Sequence, residues 1–322
     1  MSRIIVGILR GGSSGEYELS LKTGTAMLNA LPDERYATRD IFVDKRGVWH
    51  LRGMPVDAAR ALSQVDVVLN ALHGGAGEDG TVQRILDRAG VAYAGSRALA
   101  SGVSLNKARA REILQRSGIR MPHGVVFSLN NDLDTGEMAR AVFSQFGPPY
   151  VVKPVSGGAS IGVRMAMAIN DLSNAIADVL DAYGAVLVEQ YIRGVEASVG
   201  IIEGFRGEEL YALPPAHVEI PEGHRHLSYE HHEQGSFRHF VPSSFGHSEK
   251  QALIEAARAA HRALGMSHFS RADLILTPRA VYLLEVNSVP GLYPGSTLPP
   301  MFEAVGSSTR EFLEHAIALT RQ

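Results

Sequence analysis

The sequence predicts an α/β protein in which an open, mostly parallel sheet comes first and two smaller α+β units follow. Residues 4–9 form a short apolar run, and a glycine loop and a helical pattern over residues 17–31 come directly after it. A second buried-strand pattern, residues 65–70, is also followed by glycines and a helical pattern. Strand–loop–helix units in succession indicate parallel strands joined by crossover helices, and hence an open sheet.

The rest of the chain divides into two further units. Residues 95–104 are small and polar, and an exposed, charged helix is predicted over residues 106–117, so we place a domain boundary there. Strands are predicted at residues 150–152 and 186–188, on either side of a glycine-rich loop and a helix. The predicted domains are residues 1–100, 101–190 and 191–322.

Composition narrows the classes of function. A chain of 322 residues exceeds the size at which one core usually stops growing, which agrees with two or three subdomains. The formal charge of -3 provides no general attraction to nucleic acid or anionic membranes, so phosphate binding must come from a local site. The absence of cysteine excludes disulfides and thiolate chemistry and fits a reducing compartment. Residues 4–9 are too short for a membrane span, and we expect a cytoplasmic protein.

A cluster of oxygen ligands is predicted near the C-terminal end. Two neighbouring strands carry Asp273, Glu285 and Asn287, whose oxygens suit Mg²⁺ together with nucleotide phosphates. Arg271 lies two residues before Asp273, on the same side of its strand, and could neutralise an oxyanion or a phosphate. The alternative reading is a salt bridge on an edge strand.

A lysine and a glycine-rich loop form a second candidate feature. Lys153 ends a strand, and residues 154–163 supply glycines and serines whose backbone N–H groups could cradle a phosphate. The loop lacks the Gly-Lys-Ser/Thr of a Walker A motif, and a hairpin would also use such glycines. Lys107, on the predicted exposed helix, would by itself be read as a solvated charge.

A third feature is the strand that contains Glu189. It could lead into a hinge at which Glu189 and backbone groups near Ile192 meet an adenine amine, while Glu196 meets a ribose. Without further context, the same pattern describes only an amphipathic strand.

Taken in order, these segments resemble the ATP-grasp superfamily, and within it the D-alanine:D-alanine ligases, over essentially the whole chain. The N-terminal family pattern is matched by Gly11, Gly12, Ser14, Glu16 and Ser20. A second pattern is matched by His73, Gly74, Gly77, Glu78, Asp79, Gly80 and Gln83, and a C-terminal one by Glu285, Asn287, Pro290, Gly291 and Ser296. Asn106 departs from the aspartate that usually precedes Lys107.

The resemblance implies an ATP-grasp fold and a role for each matched residue. Asp273, Glu285 and Asn287 would hold Mg²⁺ or Mn²⁺, and the residues that bind ATP would be Lys107, Lys153, Glu189, Ile192 and Glu196. Glu16 would pair with the ammonium of the first substrate, with His73 nearby, and Ser296 and Thr297 would bind the second substrate. Arg271 and the Gly291 amide would stabilise the tetrahedral oxyanion, and Ser160 would also be one of the catalytic residues.

The implied activity is ATP-dependent ligation of two D-alanine molecules through an acyl phosphate, for peptidoglycan precursors. Such a reaction builds negative charge on oxygen and requires a loop that excludes water. The expected partners are small-molecule substrates, without nucleic acid or membrane, and the resemblance suggests a homodimer.

Two departures from the family pattern affect the choice of acceptor. A serine of the phosphate loop is replaced by Ala159, and the expected Ala-Lys-Tyr of the lid is replaced by residues 228–236, which contain no lysine. That stretch resembles the lid of D-alanine:D-lactate ligases, and a protonated His231 or His232 could favour a hydroxy acid in a pH-dependent way. Alternatives therefore remain: solvated lid histidines, an acceptor such as D-lactate, D-serine or another small amino acid, or a non-catalytic ATP-binding homologue. Zinc binding by the histidines is disfavoured because no pair has a suitable helical spacing.

Overall fold

The first sheet confirms the predicted open α/β architecture. The computed structural model describes residues 3–219 and 238–321, and in the N-terminal part six strands lie in the order β4-β3-β2-β1-β5-β6. β1 pairs in parallel with β2 and β5, and β5 with β6, whereas β2, β3 and β4 form an antiparallel edge. The strands are β1 (Ile4–Gly11), β2 (Tyr36–Val43), β3 (Trp49–Leu51), β4 (Met54–Val56), β5 (Val67–Asn70) and β6 (Ala92–Ala94).

Helices follow the strands of this sheet as the pattern predicted. The first helix, expected over residues 17–31, spans Tyr17–Ala30. The third ends where Gly90 takes the left-handed conformation that favours glycine. The helices are α1 (Tyr17–Ala30), α2 (Ala58–Leu62) and α3 (Thr81–Ala89).

The second sheet is antiparallel and has the strand order β7-β10-β8-β9. Two amphipathic helices cover one face, and Tyr150, Leu172 and Ile176 are fully buried between helices and sheet. The elements are β7 (Gly124–Ser128), α6 (Thr135–Phe143), β8 (Tyr150–Pro154), β9 (Arg164–Ala166), α7 (Ile169–Tyr183) and β10 (Ala185–Gln190).

The third sheet is also antiparallel, and it carries the predicted oxygen ligands. Its main path is β14-β13-β11-β15-β16, and β12 pairs with β11. A register irregularity occurs between Asp273 and Leu274. The elements are β11 (Val195–Glu203), β12 (Leu210–Ala212), β13 (Ala216–Glu219), β14 (Arg238–Phe240), α8 (His247–Ala263), β15 (Phe269–Leu276) and β16 (Val281–Asn287).

Core packing does not follow the order of the chain. α4 (Ala98–Leu105) and α5 (Lys107–Arg116) bury Ala110 and Leu114 in the core of the third sheet. α9 (Leu298–Ala304) and α10 (Thr309–Leu319) pack instead against the first sheet, where Phe312 joins Ile8 in one cluster. The domain limits at residues 100 and 190 stay predictions.

In the two parts of the chain that the structure describes, no helix is long and apolar enough to cross a membrane. The predicted lid, residues 228–236 with His231 and His232, lies outside the described residues.

Candidate active site

A cleft between the second and third sheets contains most of the predicted nucleotide and metal residues. The strands that line it carry polar side chains on the faces turned toward each other, and the glycine-rich loop after β8 forms one rim. The predicted residues that line it are Lys107, Lys153, Ser160, Glu189, Ile192, Glu196, Arg271, Asp273, Glu285 and Thr297.

Pairing of β15 with β16 brings the oxygen ligands together. Asp273 lies opposite Glu285, and Arg271 lies opposite Asn287. The Asn287 Nδ2 atom donates to Asp273 Oδ2 at 2.8 Å, and the Ser198 hydroxyl donates to Asp273 Oδ1 at 2.6 Å. Arg271 adds a forked contact, with Nε at 2.9 Å from Oδ1 and Nη2 at 2.8 Å from Oδ2 of Asp273. The salt bridge considered from the sequence is therefore present, but within a larger acidic cluster.

Crowding of the carboxyl groups and the nearby lysines shift the pKa values in this cluster in opposite directions. Burial, and then the nearby Asp273 and Glu285, raise the pKa of Glu196 to about 7. Burial also opposes ionisation of Glu285, but Lys107 and Lys153 outweigh it and lower the pKa of Glu285 to about 2. The oxygen atoms of Asp273, Glu285 and Asn287 are of the type that a hard divalent cation prefers. Within the described residues, His, Cys, Asp and Glu side chains alone form no group of three that could hold a metal, and the predicted set includes the Asn287 amide.

Two lysines project into the cleft from different elements. Lys107, at the first position of α5, places Nζ 2.5 Å from the Gly157 carbonyl oxygen and 3.2 Å from Glu285 Oε2. The Lys107 amide also donates to the Val155 carbonyl at 2.8 Å, which ties the start of α5 to the loop after β8. The expectation of a solvated lysine, drawn from the helix alone, is therefore wrong: the side chain is only 13% exposed. Lys153 Nζ lies 2.6 Å from Glu189 Oε2.

The loop after β8 approaches the first sheet through its backbone. Ala159 and Ser160 both adopt left-handed φ values, 47° and 58°, which turn successive peptide groups along the rim. The Gly158 amide donates to the Glu16 carboxyl group. A Cβ atom at Gly158 would lie 2.9 Å from Glu16 Oε1, so a larger residue there would require the Glu16 carboxyl group to shift.

Glu16 lies in a second, buried group of titratable side chains. Burial and the nearby Glu78 and Glu285 raise the pKa of Glu16 to about 8. His73 Nε2 lies 2.7 Å from the Thr23 hydroxyl, and burial together with Arg271 lowers the pKa of His73 to about 4, so its ring is neutral at pH 7. The group therefore offers one titratable acid beside a neutral imidazole.

Glu78 links this group to the segment that follows the oxygen ligands. Its Oε1 atom accepts from the Gly74 amide at 2.8 Å, and its Oε2 atom accepts from the Ser288 hydroxyl at 3.0 Å. Burial raises the pKa of Glu78, and these hydrogen bonds offset part of the rise.

The predicted residues for the second substrate lie after β16. The Ser296 hydroxyl lies 2.6 Å from the Tyr293 carbonyl oxygen and 2.9 Å from that of Gly291, so it closes a tight turn. Thr297 Oγ1 lies 2.8 Å from His239 Nε2. Their roles with a substrate stay predictions.

From the sequence, no role was assigned to Thr23, Glu78 and Ser198, nor to Arg111, whose Nη1 atom lies 2.9 Å from Glu189 Oε1. Glu78 stands inside the motif that begins at His73, and Arg111 stands four residues after Lys107, on the same face of α5. Both positions could have indicated a role in the site from the sequence alone.

The fold and the cleft define a class of protein. Two antiparallel α+β units face each other across a cleft that holds two lysines, a glycine-rich rim and an acidic cluster, and an open sheet precedes them. This is the ATP-grasp fold as found in ligases.

Comparisons with known proteins identify the family within this class. The family models described as "D-ala D-ala ligase C-terminus" and "D-ala D-ala ligase N-terminus" match residues 113–318 and 52–96. The D-alanine–D-alanine ligase of Desulforudis audaxviator is 33% identical, with 98% of each chain covered. That of Geobacter sulfurreducens is 34% identical over 91% of this chain and 86% of its own. The chain belongs to the D-alanine–D-alanine ligase family.

Solved structures agree with this assignment. The D-alanine–D-alanine ligase of Bacillus anthracis, in complex with ATP, has a TM-score of 0.81 and 27% identity, with 99% of this chain and 97% of that one covered. The VanG D-Ala:D-Ser ligase of Enterococcus faecalis has a TM-score of 0.85 and 25% identity, with 99% and 100% covered.

Proposed function

We propose that this protein joins two D-alanine molecules at the expense of ATP, through an acyl phosphate, to supply peptidoglycan precursors in the cytoplasm. One observation carries the proposal: the cleft with Lys107, Lys153 and the acidic cluster lies next to a buried group that contains Glu16. A phosphate site and an ammonium site are thus adjacent, as the attack of an amino acid carboxylate on ATP requires. From the family resemblance we expect a homodimer.

ATP occupies the cleft with its phosphates toward Lys107 and Lys153. The backbone amides of residues 157–162 line the same rim, with Ser160 among them, and add hydrogen-bond donors. Glu189, Glu196 and the backbone near Ile192 hold the nucleoside. Asp273, Glu285 and the Asn287 amide oxygen hold Mg²⁺, which when bound neutralises phosphate charge.

Glu16 binds the ammonium group of the first D-alanine. Because its carboxyl group is protonated below about pH 8, pairing with an ammonium ion requires that it lose its proton. The neutral His73 beside it, held by Thr23, does not repel the ammonium. This group therefore orients the carboxylate of the first substrate toward the phosphates.

Arg271 and the Gly291 amide stabilise the oxyanion that forms when the second amine attacks the acyl phosphate. Burial alone would lower the pKa of Arg271, but Asp273 and Glu285 more than offset this and raise it, so the guanidinium stays charged. A fixed charge in a buried site stabilises a developing negative charge strongly. Ser296 and Thr297 hold the carboxylate of the second substrate.

A different acceptor is the second candidate function. Ala159 removes a hydroxyl from the rim, and the contact with Glu16 is made by the Gly158 amide instead. The likeness to a D-Ala:D-Ser ligase supports D-serine as one such acceptor, and the lysine-free residues 228–236 support D-lactate.

The test is to measure phosphate release with ATP, Mg²⁺ and pairs of D-amino, L-amino and hydroxy acids, and to identify products by mass. We expect D-alanyl-D-alanine as the main product with one phosphate per bond formed. A faster reaction with D-serine or D-lactate would establish the second candidate, and no turnover with any pair would indicate a non-catalytic ATP-binding protein. If the lid histidines choose the acceptor, the D-alanine to D-lactate product ratio must change between about pH 6 and 9.

A further inference from the structure

Three charged side chains form a buried network beside the nucleotide cleft. The Arg111 Nη1 atom lies 2.9 Å from Glu189 Oε1, and the Lys153 Nζ atom lies 2.6 Å from Glu189 Oε2. The side chains are only 7%, 10% and 3% exposed for Arg111, Lys153 and Glu189. Two buried cations thus share one carboxylate, and the network carries one positive charge in excess.

The two cations differ in how firmly they are held. A second guanidinium nitrogen of Arg111 donates to the Pro122 carbonyl, and the guanidinium packs over Gly124, where a Cβ atom would lie 3.0 Å from Arg111 Cζ. Its helix α5 is fixed by Ala110 and Leu114 in the core of the third sheet. Arg111 is therefore held beside Glu189 by contacts on more than one side.

Lys153 is held differently. Its ion pair in this network is with Glu189, and its side chain lines the cleft together with the loop after β8. A lysine is a compact charge on a flexible stem, so it can turn toward a new anion at little steric cost. Such a move leaves Glu189 buried without Lys153, which is costly unless another cation stays beside it.

We propose that Arg111 is the permanent counter-ion of Glu189, and that it allows Lys153 to leave Glu189 for the nucleotide phosphates. The proposal rests on the proposed function, which assigns Lys153 to phosphate. In this arrangement Arg111 touches no substrate and is a positioning residue. Before nucleotide binds, Glu189 is shared by two cations; afterwards Arg111 neutralises it alone, and the excess positive charge faces the phosphates.

A purely structural role for Arg111, as a clamp between α5 and the second sheet, makes a different prediction. Loss of a clamp would disturb the whole cleft and weaken every nucleotide to a similar degree. Loss of a counter-ion would weaken only those ligands that need Lys153, because Glu189 would then retain the lysine. The ratio of the dissociation constants of adenosine and ATP separates the two roles.

The experiment is calorimetric titration with ATP, ADP and adenosine, in the presence of Mg²⁺ and without amino acid. The proteins compared are the wild type, Arg111→Lys, Arg111→Met and the double variant Arg111→Met/Glu189→Gln. We expect Arg111→Met to weaken ATP about tenfold or more and adenosine less than about threefold, as removal of one member of a buried charge network is costly. Arg111→Lys, which keeps the charge, should remain close to the wild type in this ratio. In the double variant no buried carboxylate retains Lys153, so the adenosine-to-ATP ratio should return toward that of the wild type.

An equal loss of ATP and adenosine affinity in Arg111→Met, or a double variant whose ratio stays as low as that of Arg111→Met, would overturn the proposal. If Arg111→Met does not fold, as judged by circular dichroism and thermal melting, the comparison of Glu189→Gln with the double variant decides. Once Glu189 is replaced by glutamine, the further replacement of Arg111 should change the ratio of the adenosine and ATP dissociation constants by no more than about threefold. Failure of the wild type itself to bind ATP would contradict the proposed function and not this inference.

Discussion

Replacement of Glu16 by glutamine should stabilise the protein at alkaline pH while it reduces activity. The carboxyl group is 7% exposed, accepts a hydrogen bond from the Gly158 amide and faces the negative charge of Glu78 and Glu285. Glutamine has nearly the same shape, and its carbonyl oxygen can accept the same hydrogen bond without carrying a charge. The substitution therefore removes the electrostatic cost and preserves most of the packing.

The size and sign of the effect follow from the raised pKa of Glu16. In the folded state the pKa is about 8, whereas the ordinary value is 4.5, so between these values the folded protein holds a proton that the unfolded chain releases. The contribution of protonated Glu16 to stability is complete below about pH 4.5, is lost progressively as pH rises, and is absent above about pH 8. At about 1.4 kcal/mol per pKa unit, the rise from 4.5 to about 8 gives a penalty at pH 9 on the order of 5 kcal/mol.

The assay is urea denaturation of the wild type and Glu16→Gln from about pH 5 to 9. We expect nearly equal unfolding free energies at the acidic end and a growing advantage of the variant toward pH 9. Glu18→Gln, which removes an exposed carboxylate from the first turn of α1, the helix that begins directly after Glu16, is the matched control and should not reproduce this gain. A difference between wild type and Glu16→Gln that stays constant with pH would refute the assignment of a buried, protonated Glu16.

Three further predictions concern the oxygen cluster and the core. Glu285→Gln should abolish turnover while most of the fold persists, because it removes a carboxylate from the predicted metal set; near-normal rates with an unchanged circular dichroism spectrum would contradict that role. Arg271→Lys cannot reproduce the forked contact with Asp273 and should lower kcat by roughly 100-fold, measured as phosphate release, whereas a change confined to KM for ATP would argue against oxyanion stabilisation. Phe312→Ala removes a buried ring that stacks on Phe302 at 4.9 Å and should lower the unfolding free energy by about 3–5 kcal/mol in urea titration; a loss below about 1 kcal/mol would show that Phe312 does not stabilise the core shared by the first sheet and the last helices.

Regular elements with strong periodicity were predictable from the sequence. The first helix was expected over residues 17–31 and spans Tyr17–Ala30, and the alternation of β15 placed Arg271 and Asp273 on one side, where they pair. The antiparallel edge β3–β4 was missed because strands of three residues carry almost no pattern.

Contacts between residues that are far apart along the chain could not be predicted from the sequence. Lys107 looked solvated until family patterns gave it a role, because its partner Glu285 lies far along the chain. Arg111 and Glu78 received no role, since their partners Glu189 and Ser288 stand 78 and 210 positions further on. A charged residue on a helix is ordinarily exposed, and only the packing of α5 against two sheets shows otherwise.

The shared cluster of the first sheet and the last helices also bears on how the protein is made. Ile8 is synthesised long before Phe312 and Ile317, which complete its core. One apolar face of the first sheet therefore stays uncovered until the last helices are synthesised. Such exposure favours slow folding and association with other chains. Chaperones that shield exposed apolar surface should accordingly raise the yield of this protein during translation more than they aid its refolding at high dilution.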